Sequence, residues 1–194
     1  IWNYFKSCFS GTSSTFNANA GIFGKVYFPR IIMPISVVIS NLVRFGIQFL
    51  IFAAFYVYYY LNGADISLNK YTILFPVMVL IMGMLGLGLG MIISSMVTKY
   101  RDLKILVDFG MQLVMYVSAV MYPLAYFAEK LPDYVWIVEY NPLAVVIESV
   151  RYILLNVGTF NLGMLLYAIV ITLITLFLGI VIFNKAEKSF IDTV

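Results

Sequence analysis

Four stretches of this chain are long and apolar enough to cross a bilayer: residues 31–60, 73–96, 105–126 and 162–183. A hydrocarbon core of ~30 Å takes about 20 helical residues. Lipid offers the backbone no hydrogen-bond partners, so a spanning segment is either a helix or a strand of a closed barrel. Barrel strands alternate apolar and polar residues over ~10-residue segments, and these runs do not alternate. The sequence therefore specifies an all-α, polytopic membrane bundle of about four full spans. Composition agrees: 63% of residues are hydrophobic and 11% charged, against about 45–50% and 25% in soluble domains.

Several function classes fall away at once. Histidine is absent, which removes Ser-His and Cys-His nucleophilic sites and HExxH metal sites. Cys8 is the single cysteine and has no partner for a disulfide or a zinc site, so it reads as a structural thiol. Gly24-Lys25 resembles the end of a phosphate-binding loop. That loop needs Gly at position 19 and Ser or Thr at 26, where this chain has Asn19 and Val26. No nucleotide is expected on this chain by that device, and energy for active transport must come from another subunit. No basic run with interleaved aromatics suggests nucleic acid. Because the chain opens on Ile1, residues 1–16 are read as the end of a preceding span in a longer protein.

The cations set an orientation. Lys6, Lys25, Arg30, Lys99, Arg101, Lys104, Lys185 and Lys188 fall on one side of the four spans; Lys70, Lys130 and Arg151 fall on the other; Arg44 lies within a span. Eight against three places the first group in the cytoplasm by the positive-inside rule. Both ends of the sequence, including the tail 184–194, are then cytoplasmic, and 62–71 and 127–161 face out. Tyr56, Tyr58, Tyr59 and Tyr60 mark the outer end of the first full span. They read as an interfacial aromatic belt or as a sugar-stacking surface. Gly86, Gly90 and Ser94 recur every four residues, with Gly83 and Gly88 nearby, and suit close helix packing or a flexible pore-lining helix.

Residues 131–155 are too apolar for an ordinary loop and too interrupted for an ordinary span. Pro132 and Asn141-Pro142 punctuate them, and Pro123 precedes them. Each proline removes a backbone donor and bends or ends a helix. The pattern fits an extracellular re-entrant helical hairpin with its bend at Asn141-Pro142. Glu148 and Arg151, three residues apart, share one helix face there and form either a local salt bridge or a gate latch. Arg44 sits about 21 Å along its helix from Arg30. An arginine at mid-span costs about 2.5–3.5 kcal/mol on the insertion scale, so it faces protein or water. Asp108 is its candidate partner; Asp108 also has Lys104 four residues back.

An ordered set of motifs carries a family resemblance over the length of the chain. Lys25-Val26-Tyr27-Phe28-Pro29-Arg30-Ile31-Ile32-Met33-Pro34 resembles the segment that leads into the third transmembrane helix of the permease subunit of polysaccharide-exporting ATP-binding-cassette transporters. Tyr100-Arg101-Asp102, Met121-Tyr122-Pro123, Asn141-Pro142 with Glu148 and Arg151, and Lys185-Ala186-Glu187-Lys188-Ser189-Phe190 follow in the family's order. Trp2-Asn3-Tyr4-Phe5 resembles its second transmembrane helix. Against the family pattern, an N-terminal amphipathic helix and first span are missing, in keeping with a chain that starts within a longer protein.

The resemblance implies a six-span subunit of a homodimer, paired with two ATPase subunits that bind ATP and magnesium. It implies export of O-antigen, capsular polysaccharide or teichoic acid on a lipid carrier across the bacterial cytoplasmic membrane. Residues 17–30 become the coupling segment seated on the ATPase, with Asn17, Asn19, Lys25 and Tyr27 as contacts. Tyr122, Pro123, Asn141, Pro142, Glu148 and Arg151 become the extracellular gate. Arg44, Asp108 and Tyr116 become channel or intramembrane polar groups. A same-fold exporter of a drug or small lipid is the alternative; a membrane-embedded transferase fits less well, since the acids are scattered across spans.

Overall fold

A computed structural model describes residues 1–16, 18, 29–63, 69–100 and 102–191, the last four by backbone alone. Among these residues every regular element is helical. The long helices are α1 (Trp2–Ser13), α2 (Ile32–Leu61), α3 (Phe75–Lys99), α4 (Leu103–Val117) and α8 (Leu162–Ile191). Between α4 and α8 lie three shorter ones: α5 (Leu124–Lys130), α6 (Val135–Glu139) and α7 (Pro142–Leu155). Short 3-10 segments, Lys70–Leu74 and Pro132–Tyr134, lead into α3 and α6. Three described segments are long and apolar enough to cross a membrane: Ile32–Leu61, Lys70–Lys99 and Leu162–Glu187.

Helix α3 is the centre of the bundle, flanked by α1 on one side and α8 on the other. Its glycines make both contacts close. A β-carbon on Gly86 would stand 2.9 Å from Cys8 Cβ and 3.0 Å from the Phe5 carbonyl oxygen of α1. On the opposite face, a β-carbon on Gly88 would stand 2.9 Å from the Leu176 Cα of α8. Small side chains let backbones approach, so dispersion contacts replace a hydrophobic drive that lipid does not supply. Intramolecular packing thus accounts for the glycine pattern. Cys8 is fully buried in this seam. Phe5, Met78, Met82 and Leu85 complete the core between α1 and α3.

The third expected span, 105–126, is not one helix. Helix α4 has 15 residues and reaches only about 22 Å at 1.5 Å per residue. It ends at Ser118, after which Ala119 takes a left-handed conformation with φ 51°. Pro123 explains the break: its ring would clash with the carbonyl four residues earlier, and it cannot donate to a helical ladder. The chain stays irregular to Pro123, which caps α5 in an extended conformation.

The hairpin is likewise more divided than the sequence suggests. Helix α5 precedes it, and its first limb, from residue 131, is only the 3-10 turn Pro132–Tyr134 followed by the five-residue α6. Its second limb, α7, is continuous and packs against α8 and α3. Pro142 opens α7 at a position where a missing N–H costs nothing. Leu143, Ala144, Val146, Ile147, Ile153 and Leu154 are buried beneath it. The first limb keeps Leu131, Tyr134, Trp136, Ile137 and Tyr140 exposed.

Candidate functional site: a broken helix end capped by the hairpin

The last carbonyls of a helix have no intrahelical donor and must find one elsewhere. At the end of α4 they find side chains. Tyr122 donates its hydroxyl to the Tyr116 carbonyl at 2.7 Å. Asn141 donates through Nδ2 to the Val117 carbonyl at 3.4 Å and to Ser118 Oγ at 3.0 Å. Arg151 donates through Nη2 to the carbonyls of Ala119 at 3.1 Å and Val120 at 3.4 Å. Its Nη1 binds Glu148 Oε2 at 2.5 Å, one turn back on α7. An alanine in the left-handed region is strained by roughly 1–2 kcal/mol, and capture of its carbonyl by a guanidinium offsets that strain.

Asn141 has two roles. Its Oδ1 accepts from the Leu143 N–H at 3.0 Å, capping α7. Its amide group ties that same cap to the broken end of α4. Tyr122 stacks on Phe127 with ring centroids 6.0 Å apart and lies 6.1 Å from the Tyr126 ring. The expected gate residues Tyr122, Pro123, Asn141, Pro142, Glu148 and Arg151 therefore converge on one place. Ser118, Ala119 and Val120 complete it, and the sequence reading did not single them out. Pro123, four residues beyond Ala119, was the available signal.

Beside this cap lies a cavity of about 260 Å³ walled by α5 to α8, with Glu148, Ser149, Glu139 and Asn161 among its lining residues. Glu148 is buried, and Gly158, at φ 100°, passes close to its carboxylate.

The intramembrane charges do not converge. Arg44 and Asp108 are both exposed in the single chain, and no ion pair joins them among the described residues. Helix α1 packs against both α2 and α4, and the two charges stand at different distances along those helices, about 18 Å into α2 and about 8 Å into α4. Asp108 forms no ion pair with Lys104 either, although a helical turn separates them. Instead Lys104, Asp108, Gln112 and Tyr116, spaced by four, are all exposed along α4. Ser36, Ser40, Arg44 and Gln48 form a similar exposed row on α2. Tyr58, Tyr59 and Tyr60 are exposed at the far end of α2. The expected coupling residues Asn17, Asn19, Lys25 and Tyr27 lie outside the described residues, as does Arg101. No group of three potential metal ligands occurs among the described residues.

Comparison with known proteins gives this arrangement its context. The family described as ABC-2 type transporter matches residues 1–155. Two proteins of Klebsiella pneumoniae, each named O-antigen export system permease protein RfbA, are 30% identical, over 193 and 199 residues. Each alignment covers 98% of this chain and 71% of the relative. The protein of that name from Myxococcus xanthus is 28% identical over 124 residues, covering 64% of this chain and 46% of its own. Long apolar spans, a glycine-packed central helix and a family match over most of the sequence lead to one conclusion: the chain belongs to the membrane family of ABC-2 type transporters.

Proposed function

We propose that this chain is the permease subunit of an ATP-binding-cassette exporter of lipid-linked polysaccharide. The observation that carries the reading is the 30% identity to O-antigen export permeases across 98% of the chain. Family membership implies an ATP-binding-cassette ATPase as partner, so ATP and magnesium are bound there and hydrolysis occurs there. The assembly is two copies of this chain with two ATPase subunits in the bacterial cytoplasmic membrane. Both ends of the sequence face the cytoplasm, and residues 17–30 meet the ATPase.

The physics of the route supports this assignment. A hydrated glycan cannot cross hydrocarbon, so its path needs polar groups at membrane depth. The exposed row Lys104, Asp108, Gln112 and Tyr116 supplies them on α4. A charged residue facing lipid at mid-membrane costs about 2.5–3.5 kcal/mol on the insertion scale, so the row faces a wet passage between two copies. Arg44 on α2 faces protein or water for the same reason. The hairpin then stands over the outer end of α4 as a gate, with Arg151 and Asn141 holding the broken helix end beneath it. Aromatic faces at Tyr116, Tyr122 and Tyr126 suit stacking on sugar rings.

Deletion of this gene in its host, with plasmid complementation, tests the proposal. Surface polysaccharide should disappear while lipid-linked polymer accumulates inside, and the tagged chain should co-purify an ATPase. Unchanged surface glycan in the deletion strain would overturn the substrate assignment.

A further inference from the structure

Phe16 and Arg30 both stand on α8. Phe16 stacks on Phe183, with ring centroids 4.6 Å apart and planes 25° apart. Arg30 donates through Nη1 to the Glu187 carbonyl at 3.2 Å, and its Nε lies 3.9 Å from Glu187 Oε1. Phe183 and Glu187 are four residues apart, hence on one face of the helix. Phe16, Phe183 and Met91 of α3 are fully buried together, and Arg30 is buried too.

At its other end the same helix holds the hairpin. Tyr167 donates its hydroxyl to the Tyr140 carbonyl at 3.2 Å, and the two rings meet edge to face 6.2 Å apart. Tyr140 is the residue before the Asn141-Pro142 bend. Between the two attachments α8 is one unbroken helix, spanning about 24 Å from Tyr167 to Phe183 at 1.5 Å per residue. Along that length Gly179 meets Gly88 at backbone contact, and Leu165, Ala168 and Phe183 are buried against the core on either side of it.

The geometry points to α8 as a connecting rod between the cytoplasmic coupling segment and the outer hairpin, with Phe183, Arg30–Glu187 and Tyr167–Tyr140 as its pins. This inference rests on the proposed exporter function. A displacement of the coupling segment reaches α8 through two contacts one turn apart, which resist both sliding and tilting. A shift of α8 then reaches the hairpin bend directly, without passing through the polar face of α4. Phe183, Arg30 and Tyr167 are positioning residues in this scheme, since none touches substrate.

The test uses the whole complex with its ATPase, reconstituted or in cells, and measures export and ATP hydrolysis together. F183A and Y167F should each leave the ATPase bound and hydrolysing while export per ATP falls at least ~5-fold, the lower range of site-to-site coupling. Because the two pins act in series, the double variant should fall no further than the worse single. F183L, which keeps an apolar contact, should recover part of the loss, and F177A on the exposed face of α8 should behave as wild type. Single-variant losses that multiply in the double variant would overturn the rod, as would wild-type export per ATP in both singles. Loss of the ATPase from both purified variants would also overturn it, reducing the pins to assembly contacts. If the unaltered chain binds no ATPase and exports no polysaccharide, the functional reading fails instead.

Discussion

Arg151→Met keeps an unbranched apolar stem and removes the guanidinium that joins α7 to the broken end of α4. Two losses follow. Glu148 becomes a lone carboxylate with its side chain only 8% exposed, and breaking such a buried pair costs about 3–5 kcal/mol. The Ala119 carbonyl also loses its 3.1 Å donor, and an unsatisfied buried acceptor costs about 1–3 kcal/mol. Neighbouring terms overlap, so a total of about 4–6 kcal/mol is expected. Glu148→Gln should cost far less, about 1–2 kcal/mol, because the amide oxygen still accepts and Arg151 still holds the carbonyls. The double variant Glu148→Gln with Arg151→Met strands no charge and should be more stable than Arg151→Met alone. Denaturant unfolding in detergent micelles measures all four proteins, and hydrogen exchange reads the amides of 118–122 separately. Equal losses for the two single variants would refute the argument. So would unchanged exchange at 118–122 in Arg151→Met, since the capped break would then owe nothing to the arginine.

Other substitutions separate roles that one residue combines. Asn141→Asp keeps the acceptor for Leu143 N–H but loses the donor to Ser118 and Val117; exchange should rise around 117–119 and stay low in α7. Tyr122→Phe removes one hydrogen bond to Tyr116 and should lower stability by about 1 kcal/mol, read in the same unfolding assay. Gly88→Ala places a methyl group 2.9 Å from backbone of α8; no rotamer relieves it, so the purified protein should melt several degrees lower or fail to fold. In a Cys8→Ser background, cysteines at Asp108 and Tyr116 should react with a hydrophilic thiol reagent in intact membranes. Cys8 itself, fully buried, should not react in the otherwise unaltered protein.

Hydropathy made the bundle legible because burial in lipid demands long uniform apolar runs, and α2, α3 and α8 obey that demand. Glu148 and Arg151 were legible as a pair because helical spacing alone puts them together. The destination of Arg151's second amino group was not legible. It depends on where α4 stops in space, and hydropathy runs on through Val117 and Val120 as if the helix continued. The helix break at Asn141-Pro142 is legible, since the cap and the missing donor are local chemistry. Its tie to Ser118 joins elements 23 residues apart, and no local rule encodes that. Arg44 and Asp108 show the converse failure. Opposite charges on neighbouring spans suggest a pair, but Arg44 lies about 18 Å into α2 and Asp108 about 8 Å into α4, and both are exposed.

The shortness of α4 bears on how the membrane potential would act on a polymer in the proposed passage. An anion moving outward across an inside-negative membrane gains ~2.3 kcal/mol per charge per 100 mV. Voltage falls where water ends, and a passage wet along the polar face of this 15-residue helix, about 22 Å long, leaves only the remainder of the ~30 Å core to carry the drop. The field there is steeper in proportion, and it acts on fewer sugar units at once. In the proposed passage, the electrical pull on an anionic glycan would thus be concentrated beyond Tyr116, under the hairpin, and would bias each charged repeat outward there even between rounds of ATP hydrolysis.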